Sequence, residues 1–156
     1  MRKRIIARAE QDASVRDQVW LDVERIAEVE MSSEDPEHPI ESALLPQGGS
    51  WRAAHPGKQT IRLIFTMPQQ LRRIWLVFEE STVERTQEYV LRWSSDGGEL
   101  LHEIVRQQWT FSPQGATSET EDYRVELSDV AVLELIITPD ISGKLAFASL
   151  RQLRLA

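Results

Sequence analysis

The sequence of 156 residues contains no cysteine, which excludes disulfide bonds, thiolate nucleophiles and metal sites built on cysteine. Its three histidines, His38, His55 and His102, have neither zinc-site spacing nor a Gly-x-Ser-x-Gly context. No apolar run approaches the roughly 20 residues that span a bilayer, and no glycine-rich phosphate loop is present. These absences predict a protein without a metal, a cofactor or a catalytic centre, outside the membrane.

The charge is predominantly acidic, with a formal net charge of −7. Such a surface repels polyanions, so we expect no nucleic-acid partner. Residues 26–50 contain no Lys or Arg and concentrate the acids Glu28, Glu30, Glu34, Asp35, Glu37 and Glu41. This stretch is a candidate docking surface for a peptide or a partner subunit.

The first residues do not form an export signal. Met1-Arg2-Lys3-Arg4 is basic, but only Ile5-Ile6-Ala7 follow before charged residues return. With no cysteine either, we expect a cytoplasmic location. The length predicts one domain over 1–156, with an N-terminal lead (1–19) and a sandwich (20–156).

Short apolar runs with an alternating pattern follow one another from about residue 59, separated by turn residues. Ile61, Leu63 and Phe65 share one parity, with Arg62 on the other. Strands are expected at 59–66, 73–79, 87–94, 104–111, 122–127, 131–138 and 145–155. Seven or eight such strands predict an all-β sandwich. Before them we expect a short helical or irregular lead and a strand from about 20 to 31, although the same residues also fit a helix.

Several segments, in order, resemble the discoidin family, also called the coagulation-factor C-type domain. They are Ser32-Ser33, Trp51 after a long loop, Gln59–Leu63, Leu71–Leu76, Tyr89–Gly98 with its Ser-x-Asp-Gly turn, and Leu133–Ile137. The resemblance covers the chain from about residue 26 to its last residue. It implies a galactose-binding-domain-like jelly roll that binds a ligand through loops at one end.

The sequence departs from this family at its calcium site. Many members hold a structural calcium with an Asp-Gly loop and a Glu of the last strand. Here the loop is Pro46–Trp51 without Asp, and the closing strand Ala148–Leu155 has no carboxylate. Calcium needs several hard oxygen ligands, so we predict no tight calcium site.

Aromatic and cationic side chains in or near loops are the best candidates for a binding site, because rings stack on sugars and guanidinium groups bond their hydroxyls. The candidate ligand-binding residues are Trp51, Arg52, His55, Arg106 and Trp109. Trp51 could instead pack beneath the loops, and Trp109 could serve either purpose. The paired acids Glu79-Glu80 and Glu119 to Asp122 raise the question of a glycosidase, but solubilising acids at strand ends explain them better.

We therefore predict a non-catalytic module that binds carbohydrate through loops at one end of the sandwich. The alternative is an intracellular protein-interaction module that docks a peptide or a partner subunit. A homo-oligomer is also possible, because the apolar residues Ile5, Ile6, Val15 and Val19 could contact a second copy.

Overall fold

The computed structural model describes residues 18–46 and 48–156, so Ile5, Ile6, Val15 and most of the expected lead lie outside the described residues. The elements, in chain order, are α1 (Val23–Ile26), β1 (Ala27–Met31), α2 (Ile40–Leu44), β2 (Trp51–Arg52), β3 (Gln59–Glu79), β4 (Arg85–Ser94), β5 (His102–Phe111), β6 (Ser118–Thr138), β7 (Ser149–Leu150) and β8 (Gln152–Leu155). No helix among these residues is long and apolar enough to cross a membrane.

The strands are antiparallel and form the expected β-sandwich. The main pairing order is β1-β3-β6-β4-β5, with β8 also paired to β3, while β2 and β7 form a separate two-stranded ladder. One layer contains β1, the first half of β3, the second half of β6, β4 and β5. The second layer contains the remaining halves of β3 and β6 together with β8.

Both long strands bend where they pass from one layer to the other. The β3–β6 pairing shifts register between Ile64 and Arg73, around Pro68, which lacks an N–H donor. On β6 the bend lies beside Asp129, whose φ of 56° is in the left-handed region. Each long strand therefore contributes to both layers without a loop.

The core lies between the layers. Ile61, Leu63 and Phe65 of β3 are buried while the residues between them are not, so the alternation in the sequence is confirmed. Phe78 of β3 stacks on Tyr89 of β4 with ring centroids 5.0 Å apart, which joins the two layers.

The first strand is shorter than expected. Residues 20–26 do not extend β1, because Val23–Ile26 form a single helical turn that buries Val23. The Leu21 N–H donates to the Leu155 carbonyl at 2.8 Å. This bond places the two ends of the described fold side by side.

Candidate functional site

A cleft lies where β3 ends and β6 begins. Its volume is about 520 Å³, and it is lined by His38, Gly49, Ser50, Arg52, Glu79, Glu80, Ser81, Thr82, Thr117, Ser118 and Ser149. The lining combines hydroxyls, carboxylates, an imidazole and a guanidinium. These groups form directional hydrogen bonds with a polyhydroxylated ligand. We call this feature the loop-end cleft.

Arg52 lines the loop-end cleft, and Phe147 lies beside Arg52. Arg52 pairs with Ser149 in the β2–β7 ladder, and its guanidinium carbon lies 5.1 Å from the centroid of the Phe147 ring. Phe147 stays 37% exposed. Within the described part of the chain, Arg52 makes no ion pair. Arg52, without an ion pair among the described residues, thus lies beside a partly exposed aromatic ring.

Two adjacent carboxylates, Glu79 and Glu80, also line the cleft, and they differ in environment. The Glu79 side chain is 55% exposed, with the Arg151 Nε 3.7 Å away. Glu80 is largely covered and accepts from the Arg85 Nε at 2.8 Å. Burial alone would raise the pKa of Glu80, but hydrogen bonds from Arg85 and Thr82 outweigh burial and lower it. Glu80 is therefore a fixed carboxylate, and Glu79 is the accessible one.

His38 is placed by the acidic stretch that precedes it. Its Nδ1 lies 3.1 Å from Asp35 Oδ2, and its carbonyl accepts from the Arg52 N–H at 3.1 Å. Glu34 accepts from the Ile40 N–H at 2.6 Å, at the start of α2. The pKa of Asp35 is lowered, first by the Glu37 N–H and then by His38. Two of the acids proposed as a docking surface thus bond within their own loop.

Trp51 does not fit the stacking role predicted for it. Its side chain is 0% exposed, and its Nε1 donates to the Ser33 carbonyl at 3.2 Å. Because Trp51 belongs to β2 and packs in the core cluster, no ring face is accessible to a sugar. The alternative role, packing beneath the loops, is what the structure shows.

The other candidate residues do not assemble around the cleft, apart from Arg52. His55 is exposed in the loop after β2 but does not line the cleft. Arg106 projects from the outer side of β5 and pairs with Glu88 at 2.7 Å and Glu103 at 2.9 Å. Trp109 is half-buried and packs against the core. These residues were selected because they lie near loops in the sequence. In the fold they do not lie together around the cleft.

Phe147 is a candidate that the sequence prediction missed. Its neighbours Ala146 and Ala148 are buried, while Phe147 itself is partly exposed. A large aromatic residue between two small buried ones is the expected pattern for an outward-facing ring on an extended segment. This pattern is present in the sequence, but the prediction placed the segment in a strand over 145–155.

The loop and closing strand that hold calcium in the resembled family do not suit calcium here. The Arg151 Nη1 donates to the Gly48 carbonyl, so a guanidinium group bonds an oxygen of this loop. Among the described residues, no group of three or more His, Cys, Asp or Glu side chains could hold a metal ion. Calcium prefers anionic oxygen ligands, and neither the loop Pro46–Trp51 nor the strand Ala148–Leu155 supplies a carboxylate.

The chain matches no model of a known protein family and no curated protein sequence. Solved structures do match it. The Clostridium perfringens module CpGH89CBM32-5, in complex with GalNAc-β-1,3-galactose, is 16% identical with a TM-score of 0.63, over 88% of this chain and 99% of that one. The family 32 carbohydrate-binding module of C. perfringens NanJ, in complex with galactose, is 14% identical with a TM-score of 0.60, over 87% and 96%.

A larger protein contains the same architecture. A Ruminococcus gnavus GH29 fucosidase, in complex with fucose, is 9% identical with a TM-score of 0.69, over 93% of this chain but 28% of the fucosidase. At these identities the similarity concerns the fold. The protein therefore has the discoidin, or galactose-binding-like, β-sandwich fold found in the family 32 carbohydrate-binding modules.

Proposed function

We propose that this protein is a non-catalytic carbohydrate-binding module whose sugar occupies the loop-end cleft. The observation that carries the proposal is that Arg52, which lines a cleft rich in hydroxyls and carboxylates, also lies over the partly exposed ring of Phe147. The fold supports it, because the modules that share this fold include complexes with galactose and GalNAc-β-1,3-galactose.

Each part of the cleft has a distinct part in sugar binding. The apolar face of a pyranose ring packs on Phe147, and Arg52 donates paired N–H groups to neighbouring hydroxyls. Glu79, which also lines the cleft, accepts from a hydroxyl. The contact is shallow, so we expect weak binding at a single site, which multivalency can strengthen.

The same geometry argues for binding without catalysis. A glycosidase needs one carboxyl group that donates a proton and a second that stays ionised. Hydrogen bonds lower the pKa of Glu80, so Glu80 is a poor acid near neutral pH. Glu119 has a raised pKa, but it is buried between the layers and does not line the cleft. No observation in the cleft favours a peptide ligand over a sugar.

Calorimetric titration with D-galactose, N-acetylgalactosamine and L-fucose tests the proposal. We expect the wild type to bind at least one of them, and Arg52→Ala to weaken that binding about tenfold or more, since a hydrogen bond to a charged group contributes about 1.5–3 kcal/mol. Phe147→Ala is expected to weaken it as well. Arg25→Ala, an exposed position outside the cleft, is the control.

Two further variants test the candidates that lie outside the cleft. Arg106→Ala and Trp109→Ala should bind as the wild type does. If they abolish binding while Arg52→Ala does not, the sugar sits elsewhere. No binding of any of the three sugars by the wild type would refute the proposal.

A further inference from the structure

Arg85 is a buried cation immediately behind the loop-end cleft. It begins β4, just after the turn that follows β3, and its side chain is 0% exposed. Burying a guanidinium group without partners is costly. Its contacts therefore indicate which parts of the molecule this charge holds together.

The guanidinium contacts three separate segments. Its Nε donates to Glu80 Oε1 at 2.8 Å, and its Nη1 donates to the Pro139 carbonyl at 2.9 Å and to Gln87 Oε1 at 3.2 Å. The guanidinium carbon also lies 4.9 Å from the centroid of the Phe111 ring. Arg85 thus connects the turn between β3 and β4 to the segment that follows β6.

Glu80 extends this connection into the cleft wall. The carboxylate oxygen that does not contact Arg85 accepts from the Thr82 N–H at 3.2 Å, from the Thr82 hydroxyl at 3.1 Å and from the Val83 N–H at 3.4 Å. The Glu80 N–H itself donates to the Thr117 carbonyl at 2.9 Å. The shape of this wall, which includes Thr82 and Thr117, therefore depends on one carboxylate held by Arg85.

The contact with Pro139 holds a second segment near the cleft. Beyond Pro139, the Ile141 N–H donates to the Thr86 carbonyl at 2.9 Å. The chain then continues to Phe147, whose ring lies beside Arg52 of the cleft. Arg85 is therefore linked directly to the turn between β3 and β4, through Glu80. Through Pro139 it is also linked to the segment that leads to Phe147.

We propose that Arg85 is a positioning residue for carbohydrate binding. It contacts no ligand, but it fixes Glu80 and the turn that Glu80 organises, so the cleft is formed before the sugar arrives. This inference rests on the proposed function. If only a fraction of the molecules had the cleft in its binding conformation, the apparent affinity would fall by that fraction. A cleft that is already formed avoids this loss.

A matched pair of charge-removing variants tests the role. Glu80→Gln has a single acceptor oxygen, so it cannot accept both from Arg85 and from Thr82 and Val83. Glu88→Gln, in contrast, removes a carboxylate that pairs with Arg106 at 2.7 Å, away from the cleft. We expect the dissociation constant for the sugar bound by the wild type to rise about tenfold in Glu80→Gln, as it would if a tenth of the molecules had the binding arrangement. In Glu88→Gln it should not change.

Amide hydrogen exchange separates positioning from a general effect on stability. Exchange at Thr82 and Val83 should become faster in Glu80→Gln, measured well below its melting temperature, and stay unchanged in Glu88→Gln. Arg85→Lys provides a second variant, because a lysine can still reach Glu80 but cannot also bond Pro139 and Gln87 with a planar fork. Its affinity should fall between those of the wild type and Glu80→Gln.

The outcomes distinguish the two proposals. If the wild type binds sugar but folded Glu80→Gln and Arg85→Lys bind equally well, Arg85 is not a positioning residue and the proposed function stands. If the wild type binds none of the three sugars, the proposed function fails, and the inference fails with it. Faster exchange together with weaker binding supports the inference.

Discussion

Buried polar side chains distinguish this protein at the scale of single residues. Glu119 is 1% exposed, and among the described residues neither of its carboxyl oxygens has a hydrogen-bond partner. Burial, followed by the neighbouring Glu121 carboxyl, raises the pKa of Glu119 to about 8. Glu119 therefore holds its proton at a pH where an exposed glutamate has lost it.

Glu119→Gln should change how stability depends on pH. An acid whose pKa is raised on folding stabilises the protein below the unfolded value, 4.5, and this stability is lost as the pH rises towards about 8. We expect the wild type to lose about 3 kcal/mol relative to Glu119→Gln between pH 5 and 8. Urea unfolding at several pH values measures the difference.

The exposed Glu126 of the same strand supplies the control for that measurement. Glu126→Gln should leave the shape of the pH profile unchanged. Parallel profiles for the wild type and Glu119→Gln would show that Glu119 has the same pKa in the folded and unfolded protein.

The sequence identified the types of residue that a sugar site needs, but it did not show which of them lie at the surface of the cleft. Arg52 lines the cleft, but Trp51, its direct neighbour, points into the core. Neighbours on a strand face opposite sides, so one of the two had to be buried. Which one depends on the pairing of β2 with β7, a contact between residues almost a hundred positions apart that no local pattern contains.

At the scale of elements, the period-two pattern predicted the strands but not their continuity. The strands expected at 59–66 and 73–79 are one strand, because β3 runs from Gln59 to Glu79 through Met67-Pro68. A register shift in the pairing with β6 accommodates the proline. Similarly, β6 extends from Ser118 to Thr138, where two separate strands were expected. A bend within a strand and a turn between two strands contain the same types of residue, so the sequence does not distinguish them.

Gly48 allows the loop before β2 to lie close against α2. A Cβ atom at this position would lie 1.8 Å from the Ser42 carbonyl oxygen of α2, so the loop could not approach the helix as closely. We expect Gly48→Ala to destabilise the protein by about 2 kcal/mol, measured by thermal unfolding, and to weaken sugar binding because Gly49 and Ser50 line the cleft.

Gly115→Ala is the comparison for that variant. The nearest atom to a Cβ at Gly115 lies 3.9 Å away, on Ser112, which is ordinary contact. Equal melting temperatures for Gly48→Ala and the wild type would mean that the loop can move away from α2 without loss.

At the scale of the whole molecule, stability should not depend on calcium. Arg151 bonds the Gly48 carbonyl and lies beside Glu79, so it joins the closing strand to the loop with a side-chain cation. We expect the melting temperature to change by less than about 1 °C when calcium chloride or a chelator is added, because a ligand that does not bind the native state cannot stabilise it. Differential scanning calorimetry measures this.

A rise in melting temperature with calcium, reversed by the chelator, would contradict that expectation. Arg151→Ala provides the complementary measurement. It should lower the melting temperature whether or not calcium is present.

The hydrogen bond between Leu21 and Leu155 affects how the protein can be tagged or immobilised. Arg73, which bonds the Ala156 backbone, lies six residues along β3 from Glu79, roughly 20 Å at the usual rise of a strand. Leu21 and Ala156, near the two ends of the described fold, therefore lie on the side away from the loop-end cleft. A tag or a tether to a sensor surface attached after Ala156 should leave the cleft open, so protein immobilised through that end can be used directly to measure binding to polysaccharides.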